Sequence, residues 1–171
     1  MPDDLILRIN DIPGWELYEL YPTHGIPFQY GYAGSAPSPL SEAFVYFYNN
    51  TTSYAMAITL KSFGSYGAAT DFFATLYDHS VPHLSLNQSI RDVDSAIIIS
   101  YSMGVQNPNN YTQFLTGFYW DYNFRIANVV VILQFGEIAP NESAVHPPIQ
   151  EWMDQIVSIQ VHEIQRFNIH L

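Results

Sequence analysis

The chain has 171 residues, 48% hydrophobic and 16% aromatic, with 16 acidic side chains against 5 basic ones and no cysteine. A length near that of one ordinary domain buries about 70% of the unfolded surface in a single core, and the Phe, Tyr, Ile and Val content excludes disorder. A net charge of −11 repels phosphate backbones and makes nucleic acid a poor partner.

In chain order, residues 1–171 read as one domain. Met1-Pro-Asp-Asp4 opens without a basic or long apolar leader. Leu5 to Arg8 is a short apolar piece, Asp11 to Gly14 a turn, and Trp15 to Tyr21 alternates apolar and acidic residues as a strand does. An irregular Pro/Gly/Tyr-rich loop follows over 22–40, carrying Tyr30 and Tyr32. Ala43 to Tyr48 and Tyr54 to Phe63 are β-branched and aromatic on either side of the turn-forming Asn49 to Thr52, which predicts an antiparallel hairpin. Ser62 or Ser65 then caps a helix from about Tyr66 to Tyr77, with Ala69, Phe72, Phe73 and Leu76 on one stripe.

Ala96 to Tyr101, Thr112 to Asp121 and Asn128 to Phe135 read as three more strands, with a bend between Tyr122 and Asn128. The longest apolar run, Ile126 to Phe135, is interrupted by Asn128 and Gln134 and falls short of the roughly 18 residues of a membrane span, so a strand is expected there. Pro147 and Pro148 suit the first turn of a last helix with Ile149, Trp152, Met153 and Ile156 on its apolar stripe. The expected fold is α+β in the order β-β-α-β-β-β-α. It has one antiparallel sheet of about five to six strands and two helices packed mainly on one face.

Ile12 to Trp15, the strand Ala55 to Phe63 running into the helix Tyr66 to Leu76, Asp92 to Ala96, and Phe124 to Val131 before a final helix are the segments that carry a resemblance. They are similar to extracytoplasmic α+β domains found as the sensor part of PknH-type kinases and in LpqN- or PsbP-like exported proteins. Those sensor domains commonly carry disulfides, which this chain lacks, and a glycine where Ala127 stands here. The resemblance implies an exported binding or accessory module without catalysis.

Five Asn-x-Ser/Thr triplets, at Asn49, Asn50, Asn87, Asn110 and Asn141, exceed the roughly one or two expected by chance and are glycosylation candidates if the protein is exported. They also suit turns, where Asn, Ser and Thr cluster. An extracytoplasmic domain with its export signal trimmed is the expectation, and a cytoplasmic protein the alternative.

The chain has no G-x-S-x-G, no phosphate-binding glycine loop and no cysteine nucleophile. His162 to Arg166 resembles a zinc-helix motif but ends on arginine, which does not ligate zinc. His79 with His83, and Asp92 with Asp94, are candidate metal ligands set against plainer roles at a helix end and a strand edge. No metal or cofactor is expected.

In Phe118 to Phe124, strand alternation puts Phe118, Trp120, Tyr122 and Phe124 on one face and Tyr119, Asp121 and Asn123 on the other. With the first face as core, Tyr119, Asp121 and Asn123 are expected on solvent. There they would join Tyr30 and Tyr32 as a contact surface for a protein partner, a small or carbohydrate ligand, or a second copy of the chain. The functional expectation is a non-enzymatic cell-surface binding module. The alternatives are a structural subunit of a surface layer, filament or envelope complex, and a hydrolase with a dispersed site.

Overall fold

A computed structural model describes residues 16–17, 36–48, 55–76, 84–85, 89–107, 110–139 and 150–168. It contains strands β1 (Glu16–Leu17), β2 (Ser41–Tyr48), β3 (Ala55–Ser62), β4 (Leu84–Ser85), β5 (Ser95–Asn107), β6 (Asn110–Ile126) and β7 (Val129–Ala139), with helices α1 (Tyr66–Thr75) and α2 (Gln150–Asn168). The strands form one antiparallel sheet in the order β1-β2-β3-β7-β6-β5-β4. The α+β class and the order of the long elements are those read from the sequence. Five strands are long, and the two-residue strands β1 and β4 form the edges.

The hairpin β2–β3 and the meander β5–β6–β7 are joined through α1, and β7 inserts between β3 and β6. Its sequence explains this central place. Val129-Val-Val-Ile-Leu133 is apolar at every position, so the strand offers both faces for burial. Val129, Val131, Leu133 and Phe135 join Met56, Ile58, Leu60, Tyr122 and Phe124 beneath Met153, Ile156, Val157, Val161 and Ile164 of α2. Val130 and Ile132 point the other way, into a second cluster with Phe63, Ala69, Phe72, Phe73 and Leu76.

The helices therefore lie on opposite faces of the sheet, which corrects the expected packing mainly on one face. One helix covers one face only, and the two apolar sides of β7 call for a cover on each. The side chain of Trp152 lies outside the described residues.

α1 begins where Ser65, in extended conformation, accepts a hydrogen bond from the Ala68 amide at 3.1 Å, satisfying one of the free donors of the first turn. Its exit from β3 is fixed by Phe63, whose ring lies 5.0 Å from that of Phe72. Among the described residues no helix is long and apolar enough to cross a membrane.

Candidate functional site

β6 carries the side chains expected to act, and from Tyr119 to Ile126 its side chains are buried or half-buried on both faces. Tyr122 and Phe124 are buried in the α2-side core, with Trp120 half-buried against it. On the α1 side, Tyr119, Asp121, Asn123 and Arg125 are 2%, 0%, 1% and 3% exposed. The expected alternation is correct, but the expected solvent face is not. Tyr119, Asp121 and Asn123 are interior groups, because they lie where β6 is flanked by both β5 and β7, in a sheet with a packed apolar cluster on each face. Tyr30 and Tyr32 lie outside the described residues.

At the upper end of this face the cross-strand row is Glu42, Lys61, Val130, Arg125 and Ser95. The Lys61 ammonium pairs with Glu42 at 2.7 Å and lies 5.7 Å from the Phe72 ring centre. The Arg125 guanidinium donates to Asp94 Oδ2 at 3.1 Å, to the Ala127 carbonyl at 3.0 Å, to Tyr66 Oη at 2.9 Å and to Ser95 Oγ at 3.3 Å. It also stacks 4.2 Å from the centre of the Tyr66 ring. Asp94 Oδ2 accepts the Ala127 amide at 2.7 Å as well. This hub ties the α1 N-terminus and the start of β5 to the Ala127-Asn128 turn, in which Ala127 holds a left-handed φ of 50°.

Farther down the same face, the rows Tyr46–Ala57–Gln134–Asp121–Ile99 and Tyr48–Ala55–Gly136–Tyr119–Tyr101 cross the sheet. Gln134 donates to Asp121 Oδ1 at 3.1 Å. Asp121 Oδ2 and Asn123 Oδ1 find no hydrogen-bond partner among the described residues. Burial pushes the Asp121 carboxyl up to about 8, against which the Gln134 hydrogen bond is a smaller, opposing effect, so the group is mostly a neutral acid at pH 7. Burial likewise raises the phenols of Tyr101 and Tyr119 to about 12. This is a closed polar seam in the interior.

An open cleft among the described residues lies on the other face. Between α2, the inner strands and residues 89–92 runs a cleft of about 590 Å³. Ile90, Ile98, Val157 and Val161 give it apolar walls, and Tyr122 lies at its base. Arg91, Asp92 and Asp154 are exposed and bring charge to it, with Ser89, Gln155 and Ser158 beside them. Asp92 holds a left-handed φ of 59°, a conformation that Asp tolerates better than most residues. Its carbonyl accepts Gln165 Nε2 of α2 at 3.1 Å, fixing the turn against the helix. The Tyr122 phenol is pushed up to about 12, first by burial and then by the Asp154 carboxylate.

Asp92 and Asp94 thus serve different neighbours: Asp92 lines the cleft, and Asp94 is occupied by Arg125 and the Ala127 amide. Among the described residues no three histidines, cysteines or acids group as metal ligands. His79 and His83 lie outside those residues, as do Asn49, Asn50, Asn87 and Asn141; Asn110 opens β6 at the β5–β6 hairpin.

Sequence reading did not single out Arg91 and Asp154. The available signal was Asp154 and Ser158 at helical spacing beside Val157 and Val161, a polar border on an apolar stripe. That residues 89–92 face this border depends on tertiary register. No family model matches the chain, and no curated protein or solved structure matches it.

Proposed function

We propose that this protein is a non-enzymatic extracytoplasmic binding module that takes a small ligand in the cleft between α2 and residues 89–92. The observation that carries this reading is the cleft itself. At about 590 Å³ it falls within the 300–1,000 Å³ usual for small-molecule sites and combines apolar walls with a few convergent polar groups. Held turns are a frequent support for such sites, and the left-handed Asp92 sits at its rim. The Asn-x-Ser/Thr triplets and the resemblance to exported domains support the extracytoplasmic setting.

Protein-observed NMR against a small-molecule library tests the reading. Hits should move the resonances of residues 89–92 and 154–158, raise the melting temperature in proportion to the logarithm of ligand concentration, and weaken in Arg91→Ala. Hits that map elsewhere and ignore Arg91→Ala would remove the cleft as the site.

A further inference from the structure

Three buried polar atoms on the α1-side face of β6 have no hydrogen-bond partner among the described residues: Asp121 Oδ2, Asn123 Oδ1 and Arg125 Nε. They belong to alternate positions of one strand, so their residues share a face and follow one another at about 7 Å. Neighbouring Asp and Asn side chains close that spacing by leaning together. A buried polar atom left without a partner carries its full desolvation cost, so three in one row call for a common explanation.

With Asp121 ionised the row does not balance. Arg125 Nε offers one N–H, whereas a carboxylate and the Asn123 amide oxygen only accept. Asp121 Oδ1 already accepts from Gln134 Nε2 at 3.1 Å, which leaves Oδ2 as the oxygen without a donor. A proton on Oδ2 changes the count. The acid becomes an O–H donor, and Asn123 Oδ1, with two lone pairs, can accept from Asp121 on one side and Arg125 on the other. A metal ion or organic cation would meet the Arg125 charge in the same row and would need a route into a closed face. A proton needs no such space.

We infer that Asp121, Asn123 and Arg125 form one hydrogen-bonded row in which Asp121 holds a proton on Oδ2 and donates it to Asn123 Oδ1, so that the row is a proton-binding site coupled to the Arg125 hub. The proton is exchanged with solvent water, and no other bond is made or broken. Asn123 is a positioning residue, because its oxygen favours the neutral acid, and burial pushes Asp121 the same way. The remaining charges of this face are engaged at its upper end, Lys61 with Glu42 and Arg125 with Asp94. Its phenols are Tyr46 of β2, Tyr101 of β5, Tyr119 of β6 and Tyr66 at the start of α1, and those of Tyr101 and Tyr119 are pushed up to about 12. The rest of the α1 contact is apolar. Once Asp121 ionises, two acceptors face each other with no proton between them, and the row that ends in the hub loosens.

Carbon-13 NMR of the full chain, following the Asp121 carboxyl across pH, tests the inference. In wild type its midpoint should lie well above the ordinary carboxylate range, and the Asn123 side-chain amide and Arg125 Hε resonances should shift with that same midpoint. Asn123→Leu, similar in volume but without the acceptor, should lower the midpoint by about one pH unit or more, a tenfold weaker hold on the proton. A wild-type midpoint in the ordinary range, or Asn123 and Arg125 signals that ignore the titration, overturns the inference without any variant. A midpoint that stays in place or rises in Asn123→Leu also overturns it, since a rise means that Asn123 gives the carboxylate its N–H and not its oxygen.

Discussion

The phenol ring of Tyr119 lies over Gly117, two residues earlier on the same face of β6. A Cβ at Gly117 would sit 2.7 Å from Cζ and 2.8 Å from Cε2 of that ring. The ring is also held from the side, since Tyr101 stands directly opposite on β5 and stacks on it at 5.2 Å and 27°. Glycine is required at 117 by what occupies its Cβ position.

Gly117→Ala is therefore expected to cost about 1–3 kcal/mol, the range for forcing extra volume into a packed interior. Tyr119→Phe keeps the ring and should not relieve it, whereas Tyr119→Ser should make Gly117→Ala nearly neutral. Urea denaturation of the two single mutants and the double mutant gives the coupling. Strict additivity would show that the ring moves aside freely.

Asp121 sets a pH dependence. Its folded pKa of about 8 lies above its ordinary 3.8, so the folded state holds a proton that the unfolded chain releases. The resulting stability is fully present below about pH 4, falls as pH rises towards 8, and is flat beyond, with a slope of at most about 1.4 kcal/mol per pH unit. Gln134 and Asn123 on this face do not titrate, and Tyr101 and Tyr119, held near 12, stay neutral across the window. Asp121→Asn, which cannot ionise, should flatten the decline and exceed wild type in melting temperature at pH 8. An unchanged slope in the mutant would assign the effect to another group.

The Arg125 hub separates a geometric requirement from a charge. Lysine carries the charge but cannot reach Asp94, Ser95, Tyr66 and the Ala127 carbonyl from one planar head. Arg125→Lys should thus lose about 2–4 kcal/mol, as expected when a buried charged network is broken. Asp94→Asn should lose only about 1 kcal/mol, because its amide oxygen still accepts the Ala127 N–H and the carboxylate is 42% exposed. Equal losses in chemical denaturation would mean that the ion pair, not the fork, holds the turn.

The same turn accounts for a fourth expectation. Ala127 pays backbone strain at φ 50° that glycine avoids, so Ala127→Gly should raise stability by about 1 kcal/mol, read as a shift in denaturation midpoint. A loss would place the value of the alanine methyl above the strain it incurs.

What the sequence discloses follows its periodicities. The α1 stripe, its Ser65 cap and the alternation of Phe118 to Phe124 are local, and each is found where the pattern places it. The side of the sheet that each face meets is not local. Tyr119, Asp121 and Asn123 carry the composition of an exposed edge, and only the docking of β7 and the second helix face makes them interior. Val130 and Ile132 did carry a warning, since an uninterrupted apolar strand implies two covered faces. The cleft was less legible still, because its halves lie at 89–98 and 154–161 and meet only in three dimensions.

The central place of β7 also has a consequence in time. Met56 pairs with Phe135 on one side of this strand, and Trp120 pairs with the same Phe135 on the other. Until the last strand arrives, the first hairpin and the β5–β6 hairpin each present an open edge with no common core. Closing that long loop adds only a logarithmic entropic penalty, but nothing compensates it until β7 completes two ladders and both apolar clusters in one step. Folding is thus expected to be slow for the chain's size and all-or-none. During synthesis the β2–β3 hairpin waits, incomplete, until β7 has been made.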